Sequence, residues 1–186
     1  MEIEEIKKNA IDIYKRSDKN VRKLLENIFG AEIFNIPIEE RIKTFHDAIE
    51  EIGENNSLVK DWFDFCNSKL KDRKDIKAYM KLRIIAAALN EGWEPKFTED
   101  EWRYFPYFVL YTQEEIDKMS EETKARVVMQ SARNTCAYGG VTFANAVYDT
   151  SNKFAHYGSS FVFKSRKLAE YAGKQFVNIY MDFVCK

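Results

Sequence analysis

The chain reads as an α+β protein: a helical N-terminal part, then a mixed α+β part with a small antiparallel sheet and a C-terminal helix. Three observations predict this. Up to Leu89, apolar residues recur at three- and four-residue spacing, the period of helices with one buried face. After Gly92 that period stops. Trp93, Pro95, Phe97, Trp102, Tyr104, Phe105, Pro106, Tyr107, Phe108 and Tyr111 crowd together, and the two prolines forbid a continuous helix. Finally, short β-branched and aromatic runs alternate with turn residues until helical spacing returns at Ser165.

Taken in order, Ile3, Ile6, Ala10 and Ile13 predict an amphipathic helix over residues 2–16. Ser17 and Asp18 offer caps for a second helix, with Val21, Leu24, Leu25 and Ile28 as its buried stripe and Gly30 as its stop. A third helix is expected from about Ile38, burying Ile42, Phe45, Ile49 and Ile52 and stopped by Gly53. After the turn Asn55-Asn56-Ser57, a fourth carries Leu58, Val59, Trp62, Phe63, Phe65 and Cys66. Residues 67–75 are polar and charged and read as a linker or exposed loop, separating a helical region 1–66 from an α+β domain 76–186. Ile76 to Leu89, with the run Ala86-Ala87-Ala88, predicts a strongly apolar helix that lets another element approach closely.

Beyond Gly92, Phe108–Tyr111, Val127–Met129 and Phe161–Phe163 read as strands. Thr112 with Glu115 forms a capping-box pattern for a short helix around Ile116. Ser165 caps a final helix running to Val184. Asp100 reads as a helix cap rather than part of an acid–base pair, because Glu99, Asp100 and Glu101 point in different directions from adjacent positions.

Composition narrows the function. The chain has 186 residues, is 45% hydrophobic, and carries 29 Lys+Arg against 30 Asp+Glu, so it has no global field to draw in nucleic acid. Its densest basic run, Lys69 to Arg83, reads as a solvated helix face, and direct nucleic-acid contact is not expected. Cys66, Cys136 and Cys185 are widely spaced, with no CxxC, which indicates neither a disulfide framework nor a zinc site. Neither a basic apolar leader nor a stretch of about 20 apolar residues is visible. The expectation is a cytoplasmic chain with no membrane contact, no metal and no cofactor.

The most distinctive stretch is residues 131–160. Surrounded by sequence dense in Lys, Glu and Ile, it turns to Asn, Ser, Thr, Tyr, Ala and Gly, with Arg133, Asp149 and Lys153 as its formal charges. Tyrosine gives large contact area at low entropic cost, and Asn, Ser and Gly give adaptable hydrogen bonds, as in antibody loops. Its aromatics argue against disorder. Asn134, Tyr138, Asn145, Tyr148, Asp149, Asn152, Phe154, His156 and Tyr157 are therefore the candidate partner-binding residues, with Tyr138, Tyr148, Phe154 and Tyr157 as anchors. Cys136 and His156 share the stretch, but a nucleophile pair also needs an oxyanion site and an orienting group, and any loop this polar offers one of the latter. His46 stands beside an apolar stripe without a ligand at metal spacing and reads as structural. Gly139-Gly140 reads as a turn, since no GK[ST] follows.

Three runs carry a resemblance. Leu82-Arg83-Ile84-Ile85-Ala86-Ala87-Ala88-Leu89-Asn90-Glu91-Gly92-Trp93-Glu94-Pro95, then Tyr104-Phe105-Pro106-Tyr107-Phe108, and the tail Phe163 to Phe176 resemble a family of uncharacterised phage and prophage proteins of gut-type bacteria. Members keep these flanks around a variable Gly/Asn/Ser/Tyr segment. The spacing of Gly140, Ser151 and Gly158 is also similar to the end of C-type-lectin-like phage recognition modules. The chain departs from those modules at Ser159-Ser160, where an aromatic and an Arg would close the motif, and in its long C-terminal helix. The phage family it resembles has no settled activity; the missing leader, the small size, the absent catalytic constellation and the adaptable loop lead to the expectation of a non-catalytic phage accessory protein. Its partner would be a host protein or ribonucleoprotein, most concretely in inhibition of host defence, as anti-CRISPR proteins do. The alternative is a virion-borne module that reads a receptor or glycan.

Overall fold

Short polar caps and glycines cut the first half of the chain into helices. The computed structural model describes residues 3–96, 98, 100–129, 140–149 and 161–184. Helix α1 (Ile3–Arg16) leads into α2 (Lys19–Phe29), whose N-terminus is capped by the Asp18 carboxylate accepting from the amides of Asn20 and Val21. Gly30, at φ 88°, ends α2 where a side chain would be strained. A 3₁₀ turn, Ala31–Phe34, folds back on both helices. These three elements bury Ala10, Tyr14 and Phe34 in a small core of their own, with the Tyr14 and Phe34 rings stacked at 4.5 Å. Their principal packing is with each other.

The single helix expected from Ile38 is two. Helix α3 (Ile38–Arg41) stops, and α4 (Phe45–Ile52) restarts behind a capping box in which Thr44 and Asp47 exchange side-chain and backbone hydrogen bonds. That exchange consumes the backbone donors that would have continued the first helix. Helix α5 (Ser57–Cys66) is capped by Asn56. Residues 67–73 then form turns before α6 (Lys74–Leu89).

The charged stretch at 67–75 does not divide the interior. One core holds Ile42, Ala48, Val59, Trp62 and Phe65 from before it, and Leu82, Ile85, Leu89, Phe163, Ala169 and Tyr180 from after it. Helix α6 is the axis of this core and packs against α4, α5 and the two C-terminal helices. The change of core comes instead near Pro37, between the Phe34 cluster and Ile38. The stripes predicted to bury α1 and α2 do so only at Ala10 and, in part, Leu25; Ile3, Ile6, Ile13, Val21, Leu24 and Ile28 are exposed.

The sheet comprises β1 (Arg103–Tyr111), β2 (Val128–Met129) and β3 (Gly140–Asp149), antiparallel throughout, in the order β1-β3-β2. Strand β1 begins five residues earlier than expected and runs through Pro106. It lies at the edge of the sheet, where a missing amide hydrogen breaks no ladder. The register of β1 on β3 shifts at Tyr107/Phe108. Between the strands, α7 (Gln113–Asp117) has the predicted Thr112–Glu115 capping box, and α8 (Glu121–Lys124) follows. Phe161–Phe163 is not a strand. It contributes one bridge, Phe163 to Tyr104, on the outer side of β1. The expected final helix is broken at Phe176 into α9 (Arg166–Gln175), capped by Ser165, and α10 (Val177–Val184).

Within residues 131–160, expected as one polar loop, 140–149 is the central strand of the sheet. Val141 and Ala146 point into the interior, and the ring of Phe143 lies against Gly173 of α9. No helix among the described residues is long and apolar enough to cross a membrane.

Candidate functional site: an aromatic ridge at the sheet edge

The entry to β1 is built by a small backbone fold. The Lys96 amide donates to the Glu101 carboxylate, and the Arg103 guanidinium donates to the Lys96 carbonyl at 3.3 Å. Asp100 stands in a turn and caps no helix. This fold fixes Trp102 at the mouth of the strand. Antiparallel pairing then sets Tyr104 opposite Tyr148, near the end of β3. The Trp102 and Tyr148 rings meet edge to face with centroids 4.6 Å apart, and Tyr104 adds a second edge contact to Tyr148 at 6.3 Å.

Arg166, the first residue of α9, completes the group. Its guanidinium donates to the Ala146 carbonyl at 3.0 Å and lies 5.8 Å from the Tyr148 ring centroid. Cross-strand pairing, a cation–π contact and a backbone hydrogen bond therefore hold two large rings that remain half in water: Trp102 is 49% exposed and Tyr148 49%. Three residues beyond Tyr104 on β1, Tyr107 is 54% exposed, opposite Asn145. Successive strand residues face opposite ways, so Tyr107 and Asn145 emerge on the other face of the sheet from Tyr104 and Tyr148.

Of the residues proposed from the sequence, Tyr148 is thus on an exposed ridge, and Asn145 is exposed on the opposite face. The backbone of Asp149 closes β3 opposite Arg103. Asn134, Tyr138, Asn152, Phe154, His156 and Tyr157 lie outside the described residues, as do Cys136 and Lys153. His46 is exposed, with its Nε2 3.3 Å from Glu50. The basic run does not form one face. Lys81 lies 5.2 and 5.7 Å from the Phe45 and Trp62 ring centroids, Arg83 sits over Tyr79, and Arg73 pairs with Asp75. Burial, then the charge of Lys77, holds the Lys81 ammonium below the ordinary lysine range.

Two concavities offer a contrast. A depression between Phe105, Phe108, Phe161 and Phe183 holds only about 20 Å³, too little for more than a water. A cleft of about 1000 Å³ opens between the Tyr14–Phe34 unit and the main body. Two of its acids, Glu51 and Glu91, are engaged by basic side chains. Glu51 accepts from Arg22 at 2.6 Å and from Arg41 at 2.5 Å, and Glu91 accepts from Arg41 at 2.6 Å and from Lys164 at 2.8 Å. The Tyr14 hydroxyl donates to Glu26 at 2.5 Å, and burial followed by that bond pushes its pKa up to about 12. It stays protonated near neutrality and is no base. No metal-binding cluster is found among the described residues.

The sequence alone does not single out Arg166, and Trp102 stands out only as one member of an aromatic run. Neither has a local signal. They meet Tyr148 through strand register and a helix start 18 residues further along the chain. No protein-family model, no curated protein and no solved structure matches the chain.

Proposed function

We propose that this chain is a non-catalytic binding protein whose contact surface centres on Trp102 and Tyr148, backed by Arg166. One observation carries the reading: two half-exposed rings meet edge to face, one of them beneath a guanidinium. Trp, Tyr and Arg are the residue types most enriched among the few that dominate protein–protein affinity. Pre-ordered rings also lose little freedom on binding. The partner-binding stretch inferred from sequence runs directly into this ridge at Tyr148. The phage-family resemblance supports a host protein or ribonucleoprotein as the partner, with inhibition of host defence as the most concrete form.

Affinity capture from a lysate of the host tests this. The wild-type chain is expected to retain a discrete host protein or ribonucleoprotein. Trp102→Ala and Tyr148→Ala should each weaken that capture by roughly 30-fold, the effect of losing an anchor. Retention unchanged in the double variant would refute the ridge as the contact surface. Binding to a glycan array, with nothing held from lysate, would favour the virion-borne recognition alternative.

A further inference from the structure

We infer that the chain associates with a second copy of itself through the outer face of α1 and α2. Six apolar side chains face water beside the buried Ala10 and half-buried Leu25 of the same two helices. Ile3 is 72% exposed, Leu24 57% and Ile28 62%, and Ile6, Ile13 and Val21 are exposed beside them. On α1, Ile3, Ile6 and Ile13 lie within about 80° around the helix axis, so they form one strip. On α2, Val21, Leu24 and Ile28 do the same. Only two residues, Ser17 and Asp18, join the helices, so both strips belong to one small unit.

Charge identifies the occupant. Along the flank of the α1 strip run Glu5, Asn9, Asp12 and Arg16, spaced four, three and four residues apart and all exposed. The flank is acidic at its start and basic at its end. Among the described residues, neither Glu5 nor Arg16 makes an ion pair. An antiparallel second α1 that sets Ile6 on the second copy's Ile13, and the reverse, is fixed by a two-fold axis. In that register Glu5 of each copy comes beside Arg16 of the other, and the apolar strips cover each other.

Area agrees with this occupant. The six exposed side chains present on the order of 500–600 Å², at the upper end of what a monomer leaves bare. A stable interface needs about 800 Å² per partner, roughly two-thirds of it apolar in homodimers. The strips plus the polar flank supply that amount, with little to spare. The association is therefore weak enough to vary with concentration. It involves none of the residues of the aromatic ridge and stands whether or not that ridge binds a partner.

Sedimentation of the full chain across roughly 1 to 200 µM is the test, a range that brackets dissociation constants typical of small interfaces. The weight-average mass should rise above 21.9 kDa towards twice that value. Ile13→Glu with Leu24→Glu should weaken association at least about tenfold while far-UV circular dichroism stays unchanged, since both side chains already face water. Glu5→Arg or Arg16→Glu alone should weaken it, and the two together should restore it. A wild-type chain that stays at 21.9 kDa throughout overturns the proposal and assigns the face to a different occupant. So does association that survives the apolar double variant, or a charge-swapped double variant no better than either single one.

Discussion

Replacing Glu51 by glutamine removes the most buried of the charges that tie the first 36 residues to the rest. The Glu51 carboxylate accepts from Arg22 of α2 at 2.6 Å and from Arg41 of α3 at 2.5 Å, and all three side chains are largely withdrawn from water. Stranding one partner of a buried ion pair costs about 3–5 kcal/mol. Here Arg41 keeps Glu91, and Arg22 keeps the Tyr14 carbonyl at 3.1 Å and the Tyr14 ring. The estimate therefore falls to about 2–3 kcal/mol. Because α1, α2 and the 3₁₀ turn have their own core, the cost should appear as local opening rather than global unfolding. Native-state hydrogen exchange followed by mass spectrometry reads this directly. Protection in segments covering Ile3–Phe34 should fall by roughly 30- to 100-fold, while α6 changes far less. An equal fall in α1, α2 and α6 would show a single cooperative unit, and unchanged α1 and α2 would show that the ion pairs do not hold the unit in place. Either result refutes the reasoning.

Three further outcomes follow from the packing. Asn90, buried at the end of α6, donates to the Val162 carbonyl at 2.8 Å and accepts from the Lys164 amide at 3.0 Å, so Asn90→Leu leaves both backbone groups unpaired. Calorimetry should show a loss of about 2–4 kcal/mol and a melting temperature lower by roughly 5–12 °C. A β-carbon on Gly173 would stand 2.4 Å from the Phe143 ring and 2.7 Å from Pro106, so Gly173→Ala should destabilise by about 1–3 kcal/mol in urea melts, despite alanine's better helix propensity. Burial pushes the hydroxyls of Tyr14 and Tyr171 up to about 12, helped at Tyr14 by Glu26 and at Tyr171 by the charges of Glu39 and Asp47. Folding is then favoured fully below pH 10, where the unfolded tyrosines are still neutral, and the advantage is lost as pH rises from 10 through 12. After allowing for partial solvation, each contributes about 1 kcal/mol, so denaturant midpoints should drop across that window and a Tyr171→Phe chain should drop less.

Much of the local structure could be read from the chain because it is encoded locally. The Thr112–Glu115 box, the Ser165 and Asn56 caps and the Gly30 stop each act within four residues, and each is present. The break at Thr44 was equally local, but the stripe Ile42, Phe45, Ile49 and Ile52 outweighed it in the reading. Strand β3 holds strand formers in Val141, Thr142, Phe143, Val147 and Tyr148, but Gly140, Ala144, Asn145 and Ala146 interrupt them and the polar sequence on either side reads as loop, so the ladder shows only in the pairing with β1. The exposed faces of α1 and α2 could not be foreseen, since periodicity shows that a face is apolar and not what covers it. The ridge was half legible. Tyr148 stood in a stretch whose palette suggested contact, whereas its neighbours Trp102 and Arg166 reach it only through tertiary folding.

The switch of cores at Pro37 has an evolutionary consequence. A small helical module with its own apolar interior, fastened in part by buried charges, can drift, lengthen or be exchanged with little repacking of the body from Ile38 onward. Selection can then retune whatever α1 and α2 touch while the sheet and its ridge keep their geometry.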